Sequence, residues 1–280
     1  MTTPADDDAL RHVPAGEVPS SRHGERLLDL VRVMARLRAP DGCPWDGEQT
    51  HRSLARHLLE ETHETLEAIE RGDRERLLEE LGDVLLQVVF HAQIASEDAA
   101  WDVDDVAEAV VRKLIRRHPH VFGDVEVSGA DEVLVNWERI KADEKAGAEG
   151  ADRRDPPAVD DDIPATLPAL ARAAKVQRRA AGWGFEWRSV DAAVAALREE
   201  VEELARVADA AEAEEEIGDV LFATAAVARK HGVDAEGALR RTISGFAARY
   251  ERFMSTVRER GLDLDAMSED EVRRLFRASR

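Results

Sequence analysis

The sequence has a single cysteine, Cys43, and a single tyrosine, Tyr250, among its 280 residues, and aromatic residues make up only 5% of it. One cysteine excludes an internal disulfide framework. No apolar run approaches the roughly 20 residues that a membrane-spanning helix needs, and period-2 alternation of β-branched residues, the mark of strands, is hard to find. Positive charge is scarce too: 39 Lys and Arg stand against 59 Asp and Glu, a net charge of −20. Such a surface repels phosphate backbones and anionic lipid over the range that salt leaves unscreened. These absences argue against nucleic-acid and membrane partners and predict a soluble, cytoplasmic protein. The first 20 residues are polar and contain three prolines. They lack the apolar segment of a secretory signal, and residues 1–21 are expected to be a disordered tail.

What the sequence does have is helical periodicity. Apolar residues recur three and four apart, as in Leu77, Leu81, Val84, Leu85 and Val88, which places them on one side of a helix. The expected fold class is all-α, with helices near 22–38, 52–71, 73–97, 103–117, 131–146, 167–181, 190–208, 211–231, 234–260 and 268–279. Between about 147 and 164 the chain turns to Gly, Ala, Pro and Asp, which is linker chemistry. The expected domains are 22–146 and 165–280. Pro40 to Asp46, with two prolines and a glycine, predicts an ordered turn between the first two helices.

The two sides of the linker repeat one pattern. Glu60-Glu61-Thr62-His63-Glu64 followed by Glu80-Leu81-Gly82-Asp83-Val84-Leu85 reappears as Glu199-Glu200-Val201-Glu202-Glu203 followed by Glu216-Ile217-Gly218-Asp219-Val220-Leu221. A duplicated helical unit explains this better than chance.

Residues three apart project from the same side of a helix, so Glu61 and Glu64 point together, as do Glu80 and Asp83 one helix later. If those helices pack as an antiparallel pair, four carboxylates converge. Two such charges about 4 Å apart, at an effective dielectric near 20, repel by roughly 4 kcal/mol. A hard divalent cation that prefers oxygen, Mg²⁺ above all, is the usual neutraliser and can bridge to substrate phosphates. A single E-x-x-E is more often a solvated helix face. Two features weigh against that here: Glu80, Asp83, Gln87 and His91 form a polar stripe beside the apolar one, and the arrangement occurs twice. A di-iron bundle would need a second E-x-x-H, on another helix, beside the one ending at His63; the other one in the sequence, Glu48 to His51, precedes the same expected helix instead.

With these residues in place, the chain resembles the MazG nucleotide pyrophosphohydrolases of the all-α NTP pyrophosphatase superfamily, from about residue 22 to 260. The resemblance is carried by Gly42-Cys43-Pro44-Trp45-Asp46 with Gln49-Thr50, Leu59-Glu60-Glu61 through Glu64, Glu80 to Asp83, Arg116 to Phe122, and Asn136-Trp137-Glu138 with Lys141. In the second copy it is carried by Asp161 to Pro164, Leu167 to Leu170, and Gly182 to Trp187. It implies two tandem MazG-like units that combine with those of a second chain into four-helix-bundle type homodimers. It also implies hydrolysis of nucleoside triphosphates, with broad base tolerance, to monophosphate and pyrophosphate, as a house-cleaning activity. The implied Mg²⁺ ligands are Glu61, Glu64, Glu80 and Asp83, and in the second copy Glu200, Glu203, Glu216 and Asp219, with Mn²⁺ a possible substitute. Two rival readings remain at this point. One is a narrower hydrolase for dUTP or phosphoribosyl-ATP, and the other is a helical dimer that senses nucleotide or binds a protein without turnover.

A triphosphate carries about four negative charges near neutral pH, so an acidic site accepts it only through bridging cations plus Lys or Arg. Candidates are Arg76, one turn before Glu80; Lys113 and Arg117, four apart on one helix face; and Trp137 with Lys141, a stacking plane and a cation. Glu60 or Glu61 is the candidate base, since the double Glu leaves a carboxylate spare to orient a water. The second copy keeps its acidic set and loses cations: Arg249 matches Arg117, but Gly245 stands for Lys113, Glu212 for Arg76, and only Arg273 and Arg277 fall where Trp137 and Lys141 would. The N-terminal half is therefore expected to carry the main activity.

Overall fold

In the computed structural model, residues 24–129, 132, 133, 136, 137, 140, 144, 158–161 and 163–279 are described. The proposed tail, the core of the linker and Lys141 lie outside them. The chain divides into two compact units, residues 1–151 and 152–280. Among the described residues there is no strand, and the fold is all-α.

In the first unit, α1 (Glu25–Arg38) leads through a one-turn α2 (Pro44–Glu48) into the long pair α3 (His51–Arg71) and α4 (Arg74–Glu97), followed by α5 (Val103–Arg117) and a short α6 (Pro119–Phe122). Local chemistry fixes the boundaries of the long pair. Thr50 and Ser53 form a reciprocal capping box that starts α3, which satisfies two otherwise orphaned N–H donors. Gly72 ends that helix in the left-handed region, φ 68°, where a side chain is strained. Asp73 then caps α4 by accepting from the Arg76 N–H. Only Gly72 and Asp73 separate α3 from α4, so the two helices, which pack along their length, run antiparallel.

The turn expected over Pro40 to Asp46 is tight, and its last residues wind into α2. Gly42 N donates to Ala39 O and Cys43 N to Leu37 O, both at 2.7 Å. A Cβ on Gly42 would stand 2.2 Å from Leu37 O, so the backbone approach requires glycine. Arg38, its side chain 6% exposed, ties the turn to the helical pair. It donates to both Glu97 carboxylate oxygens and to the carbonyls of Asp46 and Gln49, and its guanidinium lies 5.6 Å from the centre of the Phe90 ring. The core beneath is Met34, Leu54, Val89, Phe90 and Ile94, packed with Leu30, Val31, Leu37, Leu86 and Val103. The apolar stripe read from the sequence behaves differently: Leu81, Leu85 and Val88 stay exposed, as does Leu78.

The second unit repeats the plan with α7 (Ala169–Gly182), the pair α8 (Val190–Leu204) and α9 (Ala210–Lys230), then α10 (Ala235–Glu259), a 3₁₀ turn (Leu264–Ala266) and α11 (Glu269–Ala278). Ser189 and Asp209 cap α8 and α9. Helix α8 stops at Leu204, short of the expected 208, because the chain must turn over residues 205–209 to reach the Asp209 cap. The buried apolar side chains described here are Ala193, Ala225 and Ala226 at the helical pair, with Phe253, Val257 and Ile163. Arg229 donates to both oxygens of Glu186, at 2.6 and 2.7 Å, the counterpart of the Arg38–Glu97 tie with its charges exchanged. No helix among the described residues is long and apolar enough to cross a membrane.

Candidate functional site

The antiparallel run of α3 against α4 carries the third and fourth turns of one helix to the second and third turns of the other. Glu61, Glu64 and Glu80 each offer a carboxylate oxygen within 4.8 Å of the others. Asp83 lines the same open groove of about 620 Å³ with Asp73, Glu75, Arg76 and Glu79, though it stands outside that closest trio. Glu80 is buried, 5% exposed, and Glu64 faces solvent. Desolvation, then the charges of Asp83, Glu64 and Glu80, raise the Glu61 carboxyl above its ordinary value. This is what burial and like-charge crowding do to an acid. Glu60 points outward, its side chain 65% exposed and its carboxylate 3.3 Å from His57.

A cation sits inside this cluster. Arg76 Nε donates to Glu80 Oε1 at 3.0 Å, and its Nη2 stands 3.5 Å from Glu64 and 3.8 Å from Glu67. These bonds raise the Arg76 guanidinium above its usual value, the Glu80 bond foremost.

Further along the stripe, beyond Asp83, Gln87 is 6% exposed, and His91 meets His51 across the helix pair. Their Nδ1 atoms are 2.7 Å apart, the rings stack at 5.1 Å, and Trp101 covers His51. Burial, then the neighbouring His51, lowers the pKa of His91. The sequence showed His91 on the stripe but could not pair it with His51, forty residues away.

Of the candidate phosphate residues, Lys113 is exposed on α5. Arg117 is engaged: its Nη2 donates to Glu144 at 2.6 Å and its guanidinium lies 5.4 Å from the Trp137 ring centre, while His118 packs edge-on against that ring. Arg116 shares Glu144, and the two arginines, Arg117 first, hold its carboxyl down at about 2. Glu144 went unremarked in the sequence because nothing local marks a partner 27 residues away.

The second unit assembles the matching cluster from Glu200, Glu216 and Asp219, again within 4.8 Å, with Glu203 outside the closest trio. Desolvation followed by the neighbouring carboxylates raises both Glu200 and Glu216. Among the described residues no Lys or Arg pairs with this set, and Glu216 Oε2 is buried without a hydrogen-bond partner. Glu212, in the register of Arg76, turns back to accept from the Ala208 N–H at 2.8 Å. Arg249 lies 5.4 Å from the Phe276 ring centre, so an arginine over a ring from a later helix recurs. Its ring comes from Phe276, a residue the sequence comparison of the copies had not singled out.

Both clusters suit a hard divalent ion. The donors are all carboxylate oxygens, which favour Mg²⁺ or Mn²⁺ over thiophilic metals. In the first unit a guanidinium already stands where positive charge is needed, and in the second a buried carboxylate oxygen lacks a partner.

Comparison with known proteins matches the MazG nucleotide pyrophosphohydrolase domain to residues 49–122 and again to 188–253, spans that contain both acidic clusters. A nucleoside triphosphate pyrophosphohydrolase of Escherichia coli is 45% identical over 251 residues, covering 86% of this chain and 93% of the relative. A nucleoside triphosphate pyrophosphohydrolase/pyrophosphatase MazG of Thermotoga maritima is 41% identical over 239 residues, covering 85% and 89%. A nucleoside triphosphate pyrophosphohydrolase of Mycobacterium tuberculosis is 48% identical over 165 residues, covering 58% and 47%.

Proposed function

The chain belongs to the MazG nucleotide pyrophosphohydrolase family, and from that premise we propose that it hydrolyses nucleoside triphosphates to monophosphate and pyrophosphate at the α3–α4 centre, with Mg²⁺ as cofactor. The observation that carries the reading is the convergence of Glu61, Glu64 and Glu80 from two helices within 4.8 Å, in a groove that also holds Asp83 and Arg76.

Glu61, Glu64, Glu80 and Asp83 would hold the ion. When bound, a divalent cation supplies Lewis-acid polarisation of phosphate oxygens and lowers the pKa of a coordinated water. Glu60, exposed beside Glu61, can accept a proton from an attacking water, and Glu61 is the alternative base. Lys113 and Arg117 neutralise charge on the departing pyrophosphate. Arg117 must exchange Glu144 for phosphate to do so, and its place over Trp137 sets cation and stacking plane side by side. A site that grips phosphates and stacks a base on Trp137 tolerates many nucleobases, which suits a cytoplasmic house-cleaning enzyme. Lys141 is assigned to the same phosphate group by its spacing from Trp137.

In the second unit Glu200, Glu203, Glu216 and Asp219 would bind metal, and Arg249 is the remaining phosphate candidate. We assign the main turnover to the N-terminal half. A homodimer is supported by the exposed apolar face Leu78, Leu81, Leu85 and Val88 on α4 and by Ile217, Leu221 and Phe222 on α9. Contiguous apolar surface of this kind marks association. The deciding assay incubates the full chain with ATP and the four dNTPs, with and without Mg²⁺, and identifies products. Monophosphate and pyrophosphate in equal amounts, only with metal, are expected. Orthophosphate and diphosphate as products, or tight nucleotide binding without turnover, would sink the reading.

A further inference from the structure

The two acidic centres differ in how they are neutralised. Arg76 stands one turn before Glu80, held in place by the Asp73 cap on its backbone N–H. It bonds Glu80 at 3.0 Å and reaches Glu64 at 3.5 Å, two of the three carboxylates in the trio. In the other centre the same register holds Glu212, which is occupied at the start of its helix, while Glu216 Oε2 stays buried and unbonded.

A guanidinium and a divalent cation cannot both use one carboxylate lone pair, and two positive charges a few ångströms apart repel. Arg76 therefore competes with metal for Glu80 and Glu64. A triphosphate changes the balance, because its oxygens offer a planar guanidinium paired acceptors at least as good as a single carboxylate oxygen.

Resting on the reading of this cluster as the metal and triphosphate site, we propose that Arg76 is a resident counter-ion that holds Glu80 and Glu64 until nucleotide arrives and then transfers to the phosphates. The first centre consequently takes up divalent metal together with its nucleotide. The second, with Glu212 in that register, takes up metal alone. Arg76 acts as a positioning residue: it sets the order of loading and gives the carboxylates a defined arrangement beforehand.

The test measures Mn²⁺ binding to the full chain without nucleotide, by electron paramagnetic resonance of the free ion, in an E216Q background that silences the second centre. Adding Arg76→Gln should tighten Mn²⁺ binding about tenfold, the scale of removing a competing charged hydrogen bond. Arg76→Lys should keep it weak. With an α,β-methylene triphosphate present the order should invert, the Arg76→Gln protein holding the metal–nucleotide complex less tightly than E216Q alone. The reciprocal change, E212R in an E80Q background, should weaken metal binding at the second centre about tenfold, and it does not depend on how well an Arg76 variant folds. Unchanged Mn²⁺ affinity in both comparisons, beside normal pyrophosphate release by the wild type, overturns the counter-ion and leaves the enzyme standing. Tenfold tightening beside no release of pyrophosphate from any triphosphate supports the counter-ion and overturns the assigned reaction.

Discussion

The first helical pair and its copy carry the same four carboxylates, three residues apart on each helix, and they resolve the resulting repulsion in opposite ways. The first places a cation, Arg76, among the acids. The second offers none among the described residues: its Glu200 and Glu216 carboxyls are pushed up by desolvation and then by neighbouring carboxylates, Asp219 and Glu203 acting on both, and Glu216 Oε2 is left unbonded. Ligand sets can be duplicated by sequence alone, whereas a substrate site needs the balancing charge as well. The difference between the copies therefore separates binding a metal from binding a metal with a polyanion.

The sharpest way to break this comparison is to remove one ligand from each copy. Glu80→Gln should lower kcat/KM for ATP at least about a hundredfold, since even outer partners of a metal site cost 10–100-fold. Glu216→Gln should change it by no more than a few-fold. Steady-state pyrophosphate release by the two variants and the wild type decides it. Loss confined to the Glu216→Gln protein would transfer the activity to the second copy and reverse the assignment made from its missing cations.

Much of this was legible before the fold was known, for reasons that lie in periodicity. The repeated E-E-x-x-E and E-x-G-D-V-L blocks lie within long helices, where spacing alone dictates which side chains share a face, so both clusters were readable. The one-turn helices Pro44–Glu48 and Pro119–Phe122 are too short to show a period. Arg76 was readable as a cation near Glu80, but its contacts with Glu64 and Glu67 depend on how α3 and α4 register. His51 with His91, Arg117 with Glu144 and Arg249 with Phe276 likewise join residues far apart in the chain. The apolar face of α4 was visible as a stripe, yet periodicity says nothing of what covers it, and Leu81, Leu85 and Val88 remain exposed in the single chain.

A second comparison concerns the ties that brace each site. In the first unit Arg38 is the one cation on Glu97 among the described residues, bonding it twice beside a single bond from Gln93, and it also serves two backbone carbonyls and one ring. In the second, Glu186 is shared by Arg229 and Lys230, and Arg229 Nε is itself buried without a partner. Arg38→Ala should therefore cost about 2–3 kcal/mol, chiefly by removing a buried guanidinium and its donors to two carbonyls, while Glu97 keeps Gln93 and solvent. Arg229→Ala, with Lys230 still on Glu186, should cost about 1–2 kcal/mol. Urea unfolding of the full chain, with hydrogen exchange read separately over α4 and α9, measures both. Equal losses would show that Lys230 offers Glu186 no substitute.

The smallest expected effect is a difference in pH response. Burial and His51 hold the His91 pKa below its ordinary 6.5, so the unfolded chain binds a proton that the folded first unit resists. Stability from this pair is complete above about pH 6.5 and falls as pH drops through the range between that value and the lowered one. The Glu186 carboxyl, held at about 2 by Arg229 and then Lys230, contributes in the other window: fully above its ordinary 4.5, and lost only as pH falls from there towards 2. Glu61, Glu200 and Glu216, raised carboxyls, oppose the decline by gaining stability as they protonate in the fold, so the comparison must cancel them. His91→Gln does this, leaving them in place while removing the imidazole. Between pH 7.5 and 5.5 the wild type should lose more melting temperature than the His91→Gln protein, whereas Glu186→Gln should leave the slope over that interval as it was. Parallel melting curves for the wild type and the His91→Gln protein would mean that the 2.7 Å contact between the two rings accommodates a proton at no cost, and that the first unit has no more sensitivity to mild acid than its copy.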